Sequence, residues 1–159
     1  MIAAWAQGQF IKYFKSFRMF ITETQIRVRY AETDQMNVVY YGNYAQYFEV
    51  ARAESIRNLG FTYKEMESAG VMMPVVEMQT KFLRPAHYDD LLTIKTILRE
   101  LPSEHKISFE HEVYNHEKKL LTLGKVILYF VKIGNFEKTA MPESMHRILL
   151  PFFQEKSGH

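Results

Sequence analysis

The sequence predicts an α+β domain in which one long helix packs against a largely antiparallel sheet of five or more strands. A strong helical pattern over residues 43–59 is followed by four segments with strand-like alternation. The spacers between these strands are short and turn-like, which favours antiparallel neighbours. The length of 159 residues favours a single domain, and no internal repeat or linker divides the chain.

The first strand is predicted where Ile26, Val28 and Tyr30 alternate with arginines. The long helix is expected to begin with Asn43 as its N-cap and to end at Leu59, before Gly60. Arg52 interrupts its apolar stripe, which predicts that this face is not wholly buried within one subunit.

The remaining elements follow from local patterns. A capping box at residues 62–65 predicts a short second helix to about residue 69. Strands are predicted over residues 75–83, 91–101, 107–113 and 126–133. The last of these is apolar on both faces, which suggests a central strand covered on both sides. A short helix is expected from residue 142 to about residue 150.

Composition and charge narrow the function classes. Hydrophobic residues make up 47% and charged residues 24%, which are ordinary values for a globular protein. The absence of cysteine excludes a disulfide framework, a thiolate zinc site and a cysteine nucleophile, and it fits a reducing, cytoplasmic location. Residues 1–22 hold three basic side chains and no acid, and the remainder holds 17 basic and 18 acidic ones. Residues 23–159 are therefore close to neutral, which argues against a nucleic-acid partner, because proteins that bind the phosphate backbone are normally basic.

Residues 1–21 are assigned to an N-terminal leader, residues 22–150 to the domain, and residues 151–159 to a C-terminal tail. Phe10, Phe14 and Phe17 fall at helical spacing, which predicts a short amphipathic surface helix. The alternatives are a poorly ordered leader or an extension upstream of a true start at Met19. The segment lacks the positive n-region of a signal peptide. No integral membrane association is expected, because no apolar run approaches about 18 residues.

Residues 30–44 form the densest candidate site, at the junction between the first strand and the long helix. The first turn of a helix offers unpaired N–H groups that can stabilise an oxyanion. Asp34 is the candidate carboxylate that attacks a carbonyl or activates water. The alternative is that Asp34 and Thr33 only make turn hydrogen bonds. Glu32 would share a face with Asp34 in strand geometry and repel its charge.

Four tyrosines of this segment line an acyl pocket or make ordinary packing contacts, namely Tyr30, Tyr40, Tyr41 and Tyr44. The standard nucleophile-elbow, dinucleotide and P-loop motifs are absent. No metal site is predicted, because the six histidines lack metal-ligand spacing.

The segment resembles the 4-hydroxybenzoyl-CoA thioesterase family of hotdog-fold acyl-CoA thioester hydrolases. The family pattern is roughly Tyr-x-Asp-Thr-Asp-x-x-Gly-x-Val-Tyr-x-x-Asn-Tyr, followed by Phe-Phe-Glu-x-Ala-Arg. Here it stands as Tyr30-Ala31-Glu32-Thr33-Asp34, Val39-Tyr40, Asn43-Tyr44 and Tyr47-Phe48-Glu49-Val50-Ala51-Arg52. A second stretch, Phe82-Leu83-Arg84-Pro85-Ala86, is similar to the family's strand and Pro-Ala turn. The resemblance covers about residues 22–150.

The resemblance implies a hotdog fold, in which a five- or six-stranded antiparallel sheet wraps a long helix. It implies homodimers, often paired into homotetramers, with the active site at the dimer interface, which would account for Arg52. The family aspartate maps to Asp34, and the N–H that polarises the thioester carbonyl maps to Tyr41. No metal or bound cofactor is expected, because coenzyme A is part of the substrate.

Three departures from the family pattern bear on the site. Asn37 replaces a usual glycine, although Asn tolerates the left-handed conformation. Tyr41 stands where many relatives have histidine, and Glu32 replaces an aspartate. Tyr30 and Asn43 are counted as supporting residues.

Glu49 is a second-choice catalytic carboxylate, because other hotdog thioesterases use a glutamate on the central helix. Its alternative interpretation is an ion pair with Arg52.

The leading function is therefore an acyl-CoA thioesterase. The alternatives are an acyl carrier protein thioesterase and a non-catalytic acyl-CoA-binding module. A dehydratase of the hotdog type is disfavoured, because no histidine lies in the motif. Aromatic, short aliphatic and long aliphatic acyl groups all remain open.

Overall fold

The computed structural model describes residues 18–154, which form two antiparallel sheets and three α-helices. The strands are β1 (Phe20–Arg27), β2 (Val71–Met72), β3 (Val75–Phe82), β4 (Leu91–Leu98), β5 (Lys106–Tyr114), β6 (Leu120–Tyr129) and β7 (Val131–Lys132). The helices are α1 (Asn43–Asn58), α2 (Tyr63–Ser68) and α3 (Glu143–Leu149), with 3₁₀-helices at Tyr30–Glu32 and Leu150–Phe152. The predicted α+β class is confirmed.

The larger sheet has the order β1–β4–β5–β6–β3, so β5 is central and β3 lies at an edge. Every neighbouring pair is antiparallel. The short connections predict this for β4–β5 and β5–β6, whereas β3 pairs with β6 and not with β4, the next strand in the chain. β2 and β7 form a separate two-stranded sheet. The inner faces of β4 and β5 supply much of the core, because alternate residues of both strands are buried.

Helix α1 lies on the inner face of the sheet. Its buried residues include Phe48, Ala51 and Ile56, which the apolar stripe predicts. The Phe48 ring reaches the sheet itself, because a Cβ on Gly124 would lie 2.4 Å from Phe48 Cζ. A side chain at position 124 would therefore push the helix away from β6.

The first strand ends earlier than its alternation predicts. Val28 leaves the β1–β4 ladder, since its N–H and carbonyl pair with Asp90 and Asp89 in the loop before β4. Tyr30 then begins a 3₁₀-helix and is 79% exposed, so the prediction that it belongs to a half-buried strand is wrong.

Two predictions about α1 are also wrong. Gly42 is the N-cap, and Asn43 occupies the first helical position. Arg52 is buried within the single chain at 5% exposure, where its Nε donates to Tyr63 Oη at 3.0 Å. Helix α2 therefore covers Arg52, and a subunit interface is not needed to explain its position.

The last predicted strand, over residues 126–133, divides into two elements. β6 begins six residues earlier, at Leu120, and lies between central β5 and edge strand β3. β7 belongs to the other sheet. The expected burial on both faces is found at Val126, Ile127 and Leu128.

The surface helix expected around residues 10–17 lies outside the described residues. Within residues 18–154, no helix is long and apolar enough to cross a membrane.

Candidate active site

The loop between Glu32 and α1 is folded tightly by its own backbone. Asp34 N–H donates to the Val38 carbonyl, and Asn37 N–H donates to the Asp34 carbonyl, both at 2.9 Å. Asn37 has φ 59°, in the left-handed region that asparagine tolerates better than most residues. The turn therefore forms without the family's glycine, as predicted.

The Asp34 side chain is half-buried and only partly engaged. Its Oδ1 accepts the Met36 N–H at 2.8 Å, which closes a turn of the kind that Asp commonly makes. The neighbouring Thr33 hydroxyl donates to the Tyr30 carbonyl at 2.8 Å. The expected turn hydrogen bonds are thus present. Among residues 18–154, Met36 is the residue found to donate to this carboxylate, which leaves Oδ2 able to accept another hydrogen bond.

Asp34 and Tyr41 line one shallow depression of about 330 Å³. Its apolar walls come from the loop and from the end of β3, through Met36, Val38, Phe82 and Leu83, and Tyr44 contributes from the first turn of α1. Tyr41 lies just before the helix N-cap, and its side chain is 65% exposed. Asp34 and Tyr41, the predicted carboxylate and the residue predicted to supply the N–H, thus line the same depression.

Glu32 is held by a dense set of hydrogen bonds. Its Oε2 accepts the Arg29 N–H at 2.8 Å and the Tyr47 hydroxyl at 2.7 Å. Its Oε1 accepts the Arg29 guanidinium at 2.7 and 2.9 Å. Burial by itself would raise the pKa of Glu32, but these hydrogen bonds and the Arg29 charge outweigh burial and lower it. Glu32 is therefore a buried carboxylate that stays ionised.

The backbone of Glu32 also ties the loop to α1. Its carbonyl accepts the Tyr40 N–H at 2.9 Å and the Asn43 side-chain amide at 2.7 Å. Asn43 thus supports the site through Glu32 and not as a helix cap. Glu32 does not share a strand face with Asp34, because Glu32 belongs to a 3₁₀-helix and the strand geometry that this required is not adopted.

Tyr30 and Glu49 lie outside the depression. The Tyr30 ring packs edge to face on Tyr88, with centroids 5.7 Å apart. Glu49 is exposed on α1. Among residues 18–154 no ion pair joins Glu49 to Arg52, whose Nε donates to Tyr63 instead, so the ion-pair interpretation of Glu49 is wrong.

Sequence reasoning missed several residues that shape the site. The sequence marked Phe82 and Leu83 as part of a family motif but not as pocket walls. Every residue of β3 except Thr80 is exposed, so the strand has no buried face that would indicate a pocket wall. Tyr47 was named only as part of the family motif, and its hydroxyl bond to Glu32 gives no sequence signal. Within residues 18–154, no group of three His, Asp or Glu side chains could hold a metal ion.

The chain belongs to the Thioesterase-like superfamily, whose profile matches residues 28–149. The acyl-CoA thioesterase YbgC of Haemophilus influenzae is 30% identical over 121 residues, which cover 76% of this chain and 88% of that protein. The acyl-CoA thioester hydrolase YbgC of Escherichia coli O157:H7 is 29% identical over 76% of this chain and 89% of its own length.

Solved structures agree with this assignment. The DHNA-CoA thioesterase of Staphylococcus aureus superposes with a TM-score of 0.78 at 32% identity, over 82% of this chain and 89% of that one. The fold is the hotdog fold that the sequence resemblance implies. The protein is a thioester hydrolase of that fold.

Proposed function

We propose that this protein hydrolyses acyl-CoA thioesters, with Asp34 as the catalytic carboxylate and the Tyr41 N–H as the oxyanion donor. The observation that carries the proposal is that both residues line one depression beside the start of α1. The names of the relatives from Haemophilus influenzae and Escherichia coli support the acyl-CoA class of substrate.

In the general-base route, Asp34 takes a proton from a water molecule as the water oxygen adds to the thioester carbonyl. The carbonyl oxygen becomes an oxyanion, which the Tyr41 N–H stabilises. The tetrahedral intermediate then collapses, the carbon–sulfur bond breaks, and the thiolate of coenzyme A leaves and is protonated. The products are a free acid and coenzyme A.

In the nucleophilic route, an Asp34 oxygen adds to the carbonyl carbon and displaces the thiolate. This step forms a mixed anhydride between Asp34 and the acyl group. Water then hydrolyses the anhydride and restores the carboxylate. Hydrolysis in ¹⁸O-labelled water under single-turnover conditions separates the routes, because only the nucleophilic one places label in Asp34 when water attacks the aspartyl carbonyl.

The proposal needs no metal and no bound cofactor, since coenzyme A arrives as part of the substrate. Activity is therefore expected to be unchanged after dialysis against EDTA. A loss of activity that added divalent metal restores would contradict this part of the proposal.

Asp34→Asn tests the assignment of the carboxylate. We expect kcat on acyl-CoA thioesters to fall by about 10²–10⁴-fold, because the amide cannot accept the proton from water. Release of free thiol measures the rate, and circular dichroism checks that the variant folds. The matched control is Asp89→Asn, which makes the same change on an exposed loop at φ 67°. Equal activity of wild type and Asp34→Asn would remove Asp34 from the mechanism.

We further propose that the active unit is a homodimer formed through β3. This edge strand exposes Val75, Val76, Met78 and Phe82 at 46–50% of their surface. An apolar edge strand with unpaired backbone groups is suited to pairing with a second copy. Such pairing would place Phe82 and the depression at the subunit boundary. Two such dimers would make the homotetramer that the family resemblance implies.

Met78→Lys tests the dimer, because a charge on an edge strand opposes strand pairing. We expect a lower mass by analytical ultracentrifugation and a parallel loss of activity. Ile133→Lys is the matched control, since Ile133 is 49% exposed and Met78 is 46% exposed. An unchanged mass of Met78→Lys would reject β3 as the interface.

A further inference from the structure

The depression beside Asp34 has a closed floor formed by the Tyr44 ring. Tyr44 lines the depression although it is only 2% exposed, whereas Tyr41 at the mouth is 65% exposed. The Tyr44 ring packs edge to face against Phe82, with centroids 5.3 Å apart. It also lies 6.4 Å from the Phe48 ring. A group that enters past Asp34 and Tyr41 therefore meets an immobilised ring.

The space behind that ring is filled by Phe48. Phe48 is fully buried and stacks on the imidazole of His111, with centroids 4.8 Å apart and planes 7° apart. Its ring tip occupies the place where a side chain on β6 would stand, because Gly124 provides no Cβ. Phe48 thus takes up the volume that would otherwise extend the depression between α1 and the sheet.

We infer that Tyr44 limits the size of the acyl group, so that the enzyme acts on compact acyl thioesters, with a short aliphatic chain or a single ring, and rejects long chains. The inference rests on the proposed function, because Asp34 and Tyr41 hold the thioester carbonyl at the mouth. An acyl group directed inward from that carbonyl meets the buried Tyr44 ring, which lines the same depression. A longer chain would have to displace Tyr44 and then Phe48 from a close-packed core, which is costly.

Two variants test the size limit from different sides. Tyr44→Ala removes the floor and opens the depression towards Phe48. Phe82→Ala removes the ring that supports Tyr44 and disturbs the core less, because Phe82 is 50% exposed. The control is Phe152→Ala, a residue that is 42% exposed and packs against Phe20 away from the depression.

The experiment compares kcat/KM for acetyl-, butyryl-, benzoyl-, decanoyl- and palmitoyl-CoA. All five carry the same coenzyme A, so differences between them report the acyl group. In the wild type we expect kcat/KM for palmitoyl-CoA to be at least about tenfold below that for butyryl-CoA. In Tyr44→Ala or Phe82→Ala we expect the ratio of decanoyl to butyryl hydrolysis to rise by about tenfold. The Phe152→Ala ratio should match the wild type.

Comparable hydrolysis of palmitoyl- and butyryl-CoA by the wild type would overturn the inference and leave the proposed function intact. Unchanged ratios in both folded variants would overturn it too. Binding of the non-hydrolysable thioether analogues of the same acyl groups tests the size limit without turnover. If no ester is hydrolysed but the short analogues bind at least about tenfold tighter than the long ones, the proposed hydrolysis fails and the size limit stands. Equal binding of all lengths rejects the size limit.

Discussion

Glu32 is 6% exposed and both of its carboxylate oxygens accept hydrogen bonds, whereas Asp34, two residues further on, is half-buried and accepts one from Met36. The partners of Glu32 are a guanidinium, a tyrosine hydroxyl and a backbone N–H. Asp34 instead borders an apolar depression together with Tyr41. The two carboxylates of one short segment are therefore placed in opposite surroundings.

This difference fits the proposed division of roles, in which Glu32 holds the loop and Asp34 reacts with the substrate. A carboxylate whose oxygens are occupied by protein donors has no acceptor left for a substrate or a water molecule. Glu32 accordingly fixes the chain on both sides of the loop, since its carbonyl also receives Tyr40 and Asn43. Asp34 keeps an oxygen able to accept a further hydrogen bond and borders the depression, as the proposed function requires. These contacts fix the chain two residues before Asp34, and we expect them to position its carboxylate.

Glu32→Ala removes the hydrogen bonds by which Glu32 holds the loop, and it has the largest expected effect on stability. It leaves the buried Tyr47 hydroxyl without its acceptor and frees both ends of the loop. We expect the free energy of unfolding to fall by about 3 kcal/mol, within the range for a broken buried network. Urea titration measures the change.

The matched change on the other carboxylate is Asp34→Ala. We expect its free energy of unfolding to lie within about 1 kcal/mol of the wild type, because one exposed turn hydrogen bond is lost. Equal destabilisation by both alanine variants would contradict the division of roles.

Measuring stability as the pH is lowered distinguishes the contribution of Glu32 from that of His111, a second buried titratable group. Burial, assisted by the charge of Arg52, lowers the pKa of His111 from its ordinary 6.5 to about 3. Between these two pKa values His111 is protonated in the unfolded chain and neutral in the folded chain. The contribution of His111 to the free energy of unfolding is therefore fully present above pH 6.5. Below that pH it falls by up to about 1.4 kcal/mol per pH unit.

Glu32 contributes to stability in a lower range of pH. Its pKa is lowered from the ordinary 4.5, so its contribution is present above pH 4.5 and is lost as the pH falls below that value. His111→Phe should therefore flatten the stability curve from pH 6.5 downward, and Glu32→Gln only below about pH 4.5. Denaturant titrations at each half pH unit test this order, and flattening by Glu32→Gln between pH 6.5 and 5 would contradict it.

The sequence predicts the elements of the fold better than the contacts that individual residues make. The helical stripe of α1 and the alternation of β5 depend on burial by neighbours in the same chain, and both elements were predicted within one or two residues. β3 was also found, but its exposure on both faces hides its contribution to the pocket. The roles of Glu32, Asn43 and Arg52 depend on contacts 11–15 residues away, which no local pattern encodes.

Tyr47→Phe removes only one of the hydrogen bonds to Glu32 and is therefore a milder change than Glu32→Ala. It removes one hydroxyl that donates to Glu32 Oε2 at 2.7 Å and keeps the ring in the core. A hydrogen bond to a charged group is worth about 1.5 kcal/mol or more, so we expect a loss near that value. Thermal unfolding followed by circular dichroism measures it.

Tyr114→Phe is the control for Tyr47→Phe, because the Tyr114 hydroxyl also donates to a glutamate at 2.7 Å, but Tyr114 and its partner Glu112 are only half-buried at the end of β5. We expect a smaller loss there, since water can reach the half-buried Glu112 carboxylate and replace the lost hydroxyl. A loss in Tyr114→Phe as large as that in Tyr47→Phe would show that burial does not strengthen the Glu32 contact.

The smallest expected effect concerns the turn that presents Asp34. Asn37 adopts φ 59° and donates its N–H to the Asp34 carbonyl. Asn37→Ala places a less tolerant residue in the left-handed region and should cost about 1 kcal/mol, whereas Asn37→Gly should change stability by less than about 0.5 kcal/mol. Because the turn sets the direction of the Asp34 carboxylate, we expect kcat of Asn37→Ala to fall while Asn37→Gly keeps the wild-type rate. Urea titration and thiol release on the same preparations test both effects. Equal rates for the two variants would mean that the strain at position 37 does not reach Asp34.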